Sequence, residues 1–221
     1  MYEISKEFSL FLDKNDIENI DFRYRINLIN SITGIKPANL IGTISDDGIT
    51  NLAIFTSIVH IGSNPSLIGM FSRPVKKVIR NTFSNILDTH YYTINHVHQK
   101  FYQNAHKTSI KFDKNISEFE KCNFQEEYFN NFKAPFVKES KIKIGMKYVE
   151  HIEIKHNKTI LLVGEVQNIN IPDNIVNDIG YLNLEKANSV GMSGCNTYYK
   201  LKKIGDCDLY KGNSDDIDIK I

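Results

Sequence analysis

The sequence predicts a mainly β protein, a β-barrel with added helices, on three observations. Apolar runs with strand-like alternation recur in both halves of the chain, and two of the junctions between them are tight-turn signals, Asp46-Asp47-Gly48 and His156-Asn157-Lys158. One segment repeats its apolar residues at helical spacing: Val75, Val78, Ile79, Thr82, Phe83 and Ile86. Residues 99–141 then change character, becoming polar and aromatic, before strand signal returns. Strands, one crossing helix, a helical insertion and more strands make a barrel the architecture that covers most edges.

Each element follows in order. Residues 37–59 read as a hairpin, PANLIGTIS and ITNLAIFTSIV, because glycine in an Asp-Gly pair takes the positive φ a tight turn demands. A third strand, 66–72, follows the turn Gly62-Ser63-Asn64-Pro65. The helix beginning near Val75 closes at Asp88-Thr89-His90 and leads into the strand YYTINHV. Ser117-x-x-Glu120 has the capping-box pattern of a short helix within the insertion. MKYVEHIEIK and TILLVGEVQNINI form a second hairpin, and the last residues, KGNSDDIDIKI, read equally as an added strand or a tail.

Composition excludes several classes. The 221 residues suit one domain, 1–221, carrying the insertion at about 99–141, since single β-barrels reach this length. With 27 basic against 26 acidic residues, no excess charge draws the chain to nucleic acid or anionic lipid, so neither partner is expected. Cys122, Cys195 and Cys207 are far apart, form no C-x-x-C pair and would leave one thiol over if two joined, which fits a reducing, cytoplasmic setting. The N-terminal residues lack a signal-peptide layout, and no apolar run approaches the roughly 18 residues of a bilayer span.

The chemistry concentrates in residues 50–74. One strand ends in the paired hydroxyls of Thr56 and Ser57, the next in Ser72, Arg73 and Pro74. Neighbouring strand ends of this kind offer hydroxyls, backbone N–H groups and a guanidinium fork to one phosphate-sized anion. The plain alternative is hydroxyls that merely end strands and an arginine in a surface ion pair. Arg80-Asn81-Thr82 repeats the theme beside a helix, where a solvated helix face is the alternative. His96 and His98 share a strand face but have no third metal ligand at clear spacing, so no metal site is expected and partly exposed strand histidines are. Lys107-Thr108-Ser109 reads by itself as a helix end, and Tyr198 and Tyr199 can flank a pocket. The Rossmann, Walker, zincin and G-x-S-x-G patterns are absent.

Taken in order, KPANLIGT (36–43), TNLAIFTS (50–57), NPSLIG (64–69), SRP (72–74), RNTFSNI (80–86), YYTINHV (91–97) and TILLVGEV (159–166) resemble the flavin reductase-like family of FMN-binding split barrels. The likeness spans roughly residues 22–204. APFVKES (134–140) further resembles a flavoredoxin-like bacterial branch in which an inserted lobe precedes the last strands. The resemblance implies an antiparallel split barrel, homodimeric, with FMN near the subunit interface. It also implies that Asn51, Ala53, Thr56 and Ser57 line the flavin, backbone groups reading the ring edge and hydroxyls reaching the phosphate. Ser72 and Arg73 fall where such proteins contact the phosphate, Thr82 and Asn85 fall in the following helix motif, and His106 and Lys107 carry over from the insertion.

One departure bears on the reaction. Many such reductases carry Gly-Asp-His before the strand matching TILLVGEV, with the histidine associated with nicotinamide handling; here the positions read His156-Asn157-Lys158. The expected activity is an FMN-dependent oxidoreductase, in which NADH or NADPH reduces the flavin and a small-molecule or protein acceptor takes the electrons. No side-chain acid or base need be catalytic, because the flavin carries the redox chemistry. The alternatives are a non-enzymatic flavin carrier or electron-transfer protein, and a flavin-free barrel that serves as an interaction module.

Overall fold

Seven antiparallel strands run β3-β2-β6-β9-β10-β5-β4 in a computed structural model that describes residues 9–74 and 81–207. The strands are β2 (Asn39–Ile44), β3 (Thr50–Phe55), β4 (Ile58–Ser63), β5 (Ser66–Ser72), β6 (Tyr91–His96), β9 (Lys143–Glu153) and β10 (Ile160–Asn170). A small sheet joins β1 (Lys36–Pro37), β11 (Val190–Ser193) and β12 (Thr197–Lys200), and β7 (Glu126–Glu127) pairs with β8 (Phe136–Val137) in the insertion. The helices are α1 (Lys14–Asn19), α2 (Phe22–Ser31), α3 (Asn81–Thr89), α4 (Tyr102–Lys107), α5 (Glu118–Lys121) and α6 (Leu184–Ala187). The fold is the predicted one, mainly β with helices, in an antiparallel barrel that is split rather than closed.

The first hairpin turns where the sequence placed it: Gly48 has φ +81°, and its N–H bonds the Ser45 carbonyl at 2.9 Å. The strand after it is interrupted, however. The expected run through Val59 stops at Phe55, and β4 starts at Ile58 on the opposite edge of the sheet. Two residues, Thr56 and Ser57, thus connect the two edge strands, and a link so short requires the sheet to curl until its edges approach. Alternation could not reveal the break, because TNLAIFTSIV reads as one strand whichever sheet edge it serves. The start of the crossing helix, Val75 to Arg80, lies outside the described residues, as does the segment from Asp208 onward.

Strand alternation divides the interior in two. On β2, Ile41 joins Met70, Phe83, Ile86, Tyr92, Ile94, Met146 and Leu162 between the barrel and α3, whereas its neighbour Leu40 faces the other way. Leu40 meets Leu52, Ala105, Phe119, Val137 and Met192, the cluster that fixes the insertion and the small sheet to the barrel's outside. Each fully buried large aliphatic is worth about 1.5–3 kcal/mol against exposure, so this second cluster holds the segment with Ala105, Phe119 and Val137 firmly to the sheet. The expected capping box is not formed: Ser117 caps no backbone group, and its hydroxyl lies 2.7 Å from that of Thr50. A tertiary partner has outbid the local one.

Candidate functional site

The two-residue link gathers the candidate phosphate ligands. The Phe71 N–H donates to the Ser57 carbonyl at 3.0 Å, and the Ser57 hydroxyl donates to the Phe71 carbonyl at 2.9 Å. Since Ile58 faces Met70, the same register brings Thr56 level with Ser72. Arg73 follows at once, exposed and without a carboxylate partner among the described residues. Ser57 has its proton committed to Phe71, so toward an anion its side chain offers no free donor. Buried Ser72 is turned toward the Arg73 carbonyl at 3.3 Å, a weak bond that an anion can replace. Half-buried Thr56 and the Arg73 guanidinium make no side-chain hydrogen bond among the described residues at this end.

At the other end of β3 from Thr56, a buried polar layer connects α3 to the first hairpin. Asn51 donates to the Thr82 hydroxyl at 3.1 Å, and Asn85 donates to the Thr43 hydroxyl at 3.1 Å. Thr43 and Asn51 are themselves cross-strand partners, while Thr82 and Asn85 stand one turn apart on the helix. All four are buried, so each amide–hydroxyl bond is a positioning bond whose loss leaves an unsatisfied group, at about 1–3 kcal/mol. The layer sets where α3 sits over the turn end of β2 and β3. Ala53, two residues on from Asn51 along β3, shares its strand face.

His106 and Lys107 belong to a different neighbourhood. Their helix, α4, packs through Ala105 against Leu52 and Ile54, the opposite face of β3 from Asn51 and Ala53. His106 Nδ1 lies 3.1 Å from the Tyr198 hydroxyl, with the rings edge to face, and Lys107 donates to Asn104. Burial pushes the Tyr198 phenol up to about 12, with nearby Tyr102 adding to the shift. Tyr198 thus touches a candidate residue, and its neighbour Tyr199 is exposed.

Two polar residues at β3 were not visible in the sequence. Glu118, buried on α5, accepts the Leu52 N–H at 3.0 Å, so a carboxylate covers the free edge of β3. Burial raises its pKa, partly offset by that same N–H. Thr50 donates to Glu126 at 2.6 Å. No local signal marks either contact, for each joins residues more than sixty positions apart. Of the two histidines expected to be partly exposed, His96 is, while His98 is buried; burial lowers His96 to about 4 and lowers His98 as well, helped there by Lys141 and Lys100. His96 Nδ1 lies 3.3 Å from Ser189, and His98 Nδ1 accepts the Lys100 N–H. Among the described residues no three His, Cys, Asp or Glu side chains converge as a metal site.

The arrangement presents the exposed Arg73 guanidinium and the Thr56 hydroxyl at two adjoining strand ends, groups suited to a phosphate-sized anion. The described hollows lie elsewhere. One, about 320 Å³, lies between Leu10, Leu12, Ile20, Asp21 and Tyr24, and it carries a single charged side chain.

Comparison with known proteins gives a consistent result. Residues 35–187 match the model of the flavin reductase like domain. A structure of a candidate flavin reductase with split barrel domain from Shewanella frigidimarina is 42% identical, covers 91% of this chain and 100% of its own, and superposes with a TM-score of 0.88. Flavoredoxin of Desulfovibrio vulgaris (Miyazaki F) superposes at TM-score 0.66 with 21% identity, over 81% of this chain and 92% of its own, a likeness of fold. An uncharacterized protein of Aquifex aeolicus is 29% identical over 175 residues, 79% of this chain and 87% of its own.

Proposed function

Because the chain belongs to the family of flavin reductase-like domains, we propose that it is an FMN-binding oxidoreductase which passes reducing equivalents from NADH or NADPH to a second acceptor. The observation that carries this reading is the Thr56–Ser57 link, which seats two strand ends side by side with Arg73 at their mouth. When bound, FMN supplies the two-electron chemistry, accepting hydride and handing electrons on. The chain's own residues bind and orient: Arg73 and Thr56 hold the phosphate, Ser72 turns toward it, and the Asn51–Thr82 and Asn85–Thr43 bonds fix α3. The backbone edge of β3 beyond Leu52, whose own N–H is taken by Glu118, reads the ring. We further propose a homodimer, which would cover open strand edges and apolar faces.

Phosphate recognition is tested by Arg73→Ala. Losing charge-assisted hydrogen bonds worth about 1.5–3 kcal/mol should weaken FMN roughly tenfold to a few hundredfold, while riboflavin, lacking the phosphate, changes much less. Equal losses for both flavins would move Arg73 out of the phosphate site. Turnover is tested by anaerobic mixing with NADH or NADPH. Rapid bleaching of the visible flavin band supports the reductase.

A second reading, a flavin carrier or electron-transfer protein, is favoured by one observation. The turn that carries Gly-Asp-His in many reductases is here His156-Asn157-Lys158, with His156 exposed and Lys158 paired to Glu153. Under that reading the bound flavin stays oxidised in the presence of either nucleotide and is reduced only by another donor.

A further inference from the structure

We infer that α1 and α2 form an arm by which one copy of this chain grips a second, an inference that rests on the homodimer proposed above and names its clasp. Neither helix buries a single residue. On α2, Phe22, Ile26 and Ile29 recur at spacings of four and three, and Ile32 continues the stripe. These are core positions without a core. Their exposures are 64%, 38%, 44% and 65%, and nearby Phe11 and Ile35 reach 83% and 54%.

Helices of six and ten residues do not hold themselves in water on propensity alone, because isolated helices shorter than about 12–15 residues are marginal. Their caps, Asp13 and Asp21, set where each helix starts but supply only about 1 kcal/mol apiece. Something must cover the stripe. At the 150–250 Å² an aromatic side chain carries, the six residues expose on the order of 600 Å². That is the upper end of what a monomer leaves bare, and close to the roughly 800 Å² each partner contributes to a stable interface. In a two-fold pair both arms dock, so the buried area doubles.

A second copy also offers a matching surface. On the outer face of β4, Val59 and Ile61 are exposed, and together with Leu161 they crowd the space over Gly69, within about 3.1 Å of where its Cβ would stand. Exposed Ile152 on β9 is the cross-strand partner of Leu161. One chain thus carries an uncovered apolar arm and an uncovered apolar face. A lipid surface fits the arm less well: residues 9–35 hold Asp13, Asp16, Glu18 and Asp21 against Lys14, Arg23 and Arg25, whereas helices that lie on anionic membranes are rich in Lys and Arg.

The test compares the full-length protein with Phe22→Glu/Ile26→Glu/Ile29→Glu by sedimentation velocity across micromolar concentrations. Far-ultraviolet circular dichroism and thermal melting serve as folding controls, and Ile29→Glu alone is the milder variant. Wild type should be dimeric, with the dissociation constant raised at least tenfold in the triple variant, less in the single one, and the barrel's melting preserved. A triple variant that stays dimeric like wild type overturns the clasp and leaves the homodimer standing. A monomeric wild type removes both. Wild-type monomer that sediments with phosphatidylserine vesicles, while the triple variant does not, overturns the clasp and assigns the stripe to lipid.

Discussion

Tyr92 shows how a buried residue can be well packed and still imperfect. Its ring is fully enclosed on β6, and its hydroxyl has no hydrogen-bond partner among the described residues. Burial accordingly raises its pKa well above the usual phenol. The hydroxyl sits where a Cβ on Gly164 would be, only 2.1 Å away, which is why position 164 cannot carry a side chain. Removing an unpaired buried hydroxyl recovers its desolvation cost, so Tyr92→Phe should leave stability unchanged or raise it by about 1 kcal/mol. Denaturant titration checks this, and a loss above that size would mean the hydroxyl has a partner. The same accounting applies to Ser57, whose sequence position suggested a phosphate donor; its proton is used within the fold.

Among the elements, β3 is decisive, because it is a sheet edge that must be protected at one point and left open at another. Glu118 covers the Leu52 N–H, a device that blunts an edge against unwanted pairing. Burial raises the Glu118 pKa, so its favourable contribution is present when it is protonated and is lost as pH rises through that raised value. Glu118→Gln keeps an acceptor and removes the charge. At pH 7 it should melt at or above wild type, whereas Glu118→Ala, which orphans the N–H, should lose about 1–3 kcal/mol. Calorimetry of the two variants separates hydrogen bonding from charge; equal destabilisation by both would refute the acceptor role. Sequence showed that this segment was a strand and that hydroxyls ended it. It did not show the cover, because Glu118 lies 66 residues away.

For the whole molecule, pH stability should follow His96 and His98. His96 is held at about 4 in the fold against 6.5 for an unperturbed imidazole, through burial. As pH falls from about 6.5 toward 4 the unfolded chain takes up a proton that the folded chain refuses, so stability declines across that window. His98, also lowered, adds in the same direction. Melting temperature measured from pH 7 to 4 should therefore fall less steeply for His96→Gln than for wild type. Identical slopes would place the acid sensitivity elsewhere.

Periodicity and turn chemistry, which are local, determined most of this protein. They defined the hairpins at Gly48 and at 156–158 and the strand at 66–72, and they put Thr56 and Ser57 at the end of one strand and Ser72 and Arg73 at the end of the next. Tertiary structure decided the rest. It broke the run 49–59 across two sheet edges, set Asn51 and Asn85 to holding α3, turned His106 and Lys107 to the other face of β3, and gave Ser117 to Thr50. The reason is physical. A hydrogen bond or a buried contact between residues thirty to ninety positions apart depends on how the sheet curls, and no window of sequence contains both partners at once.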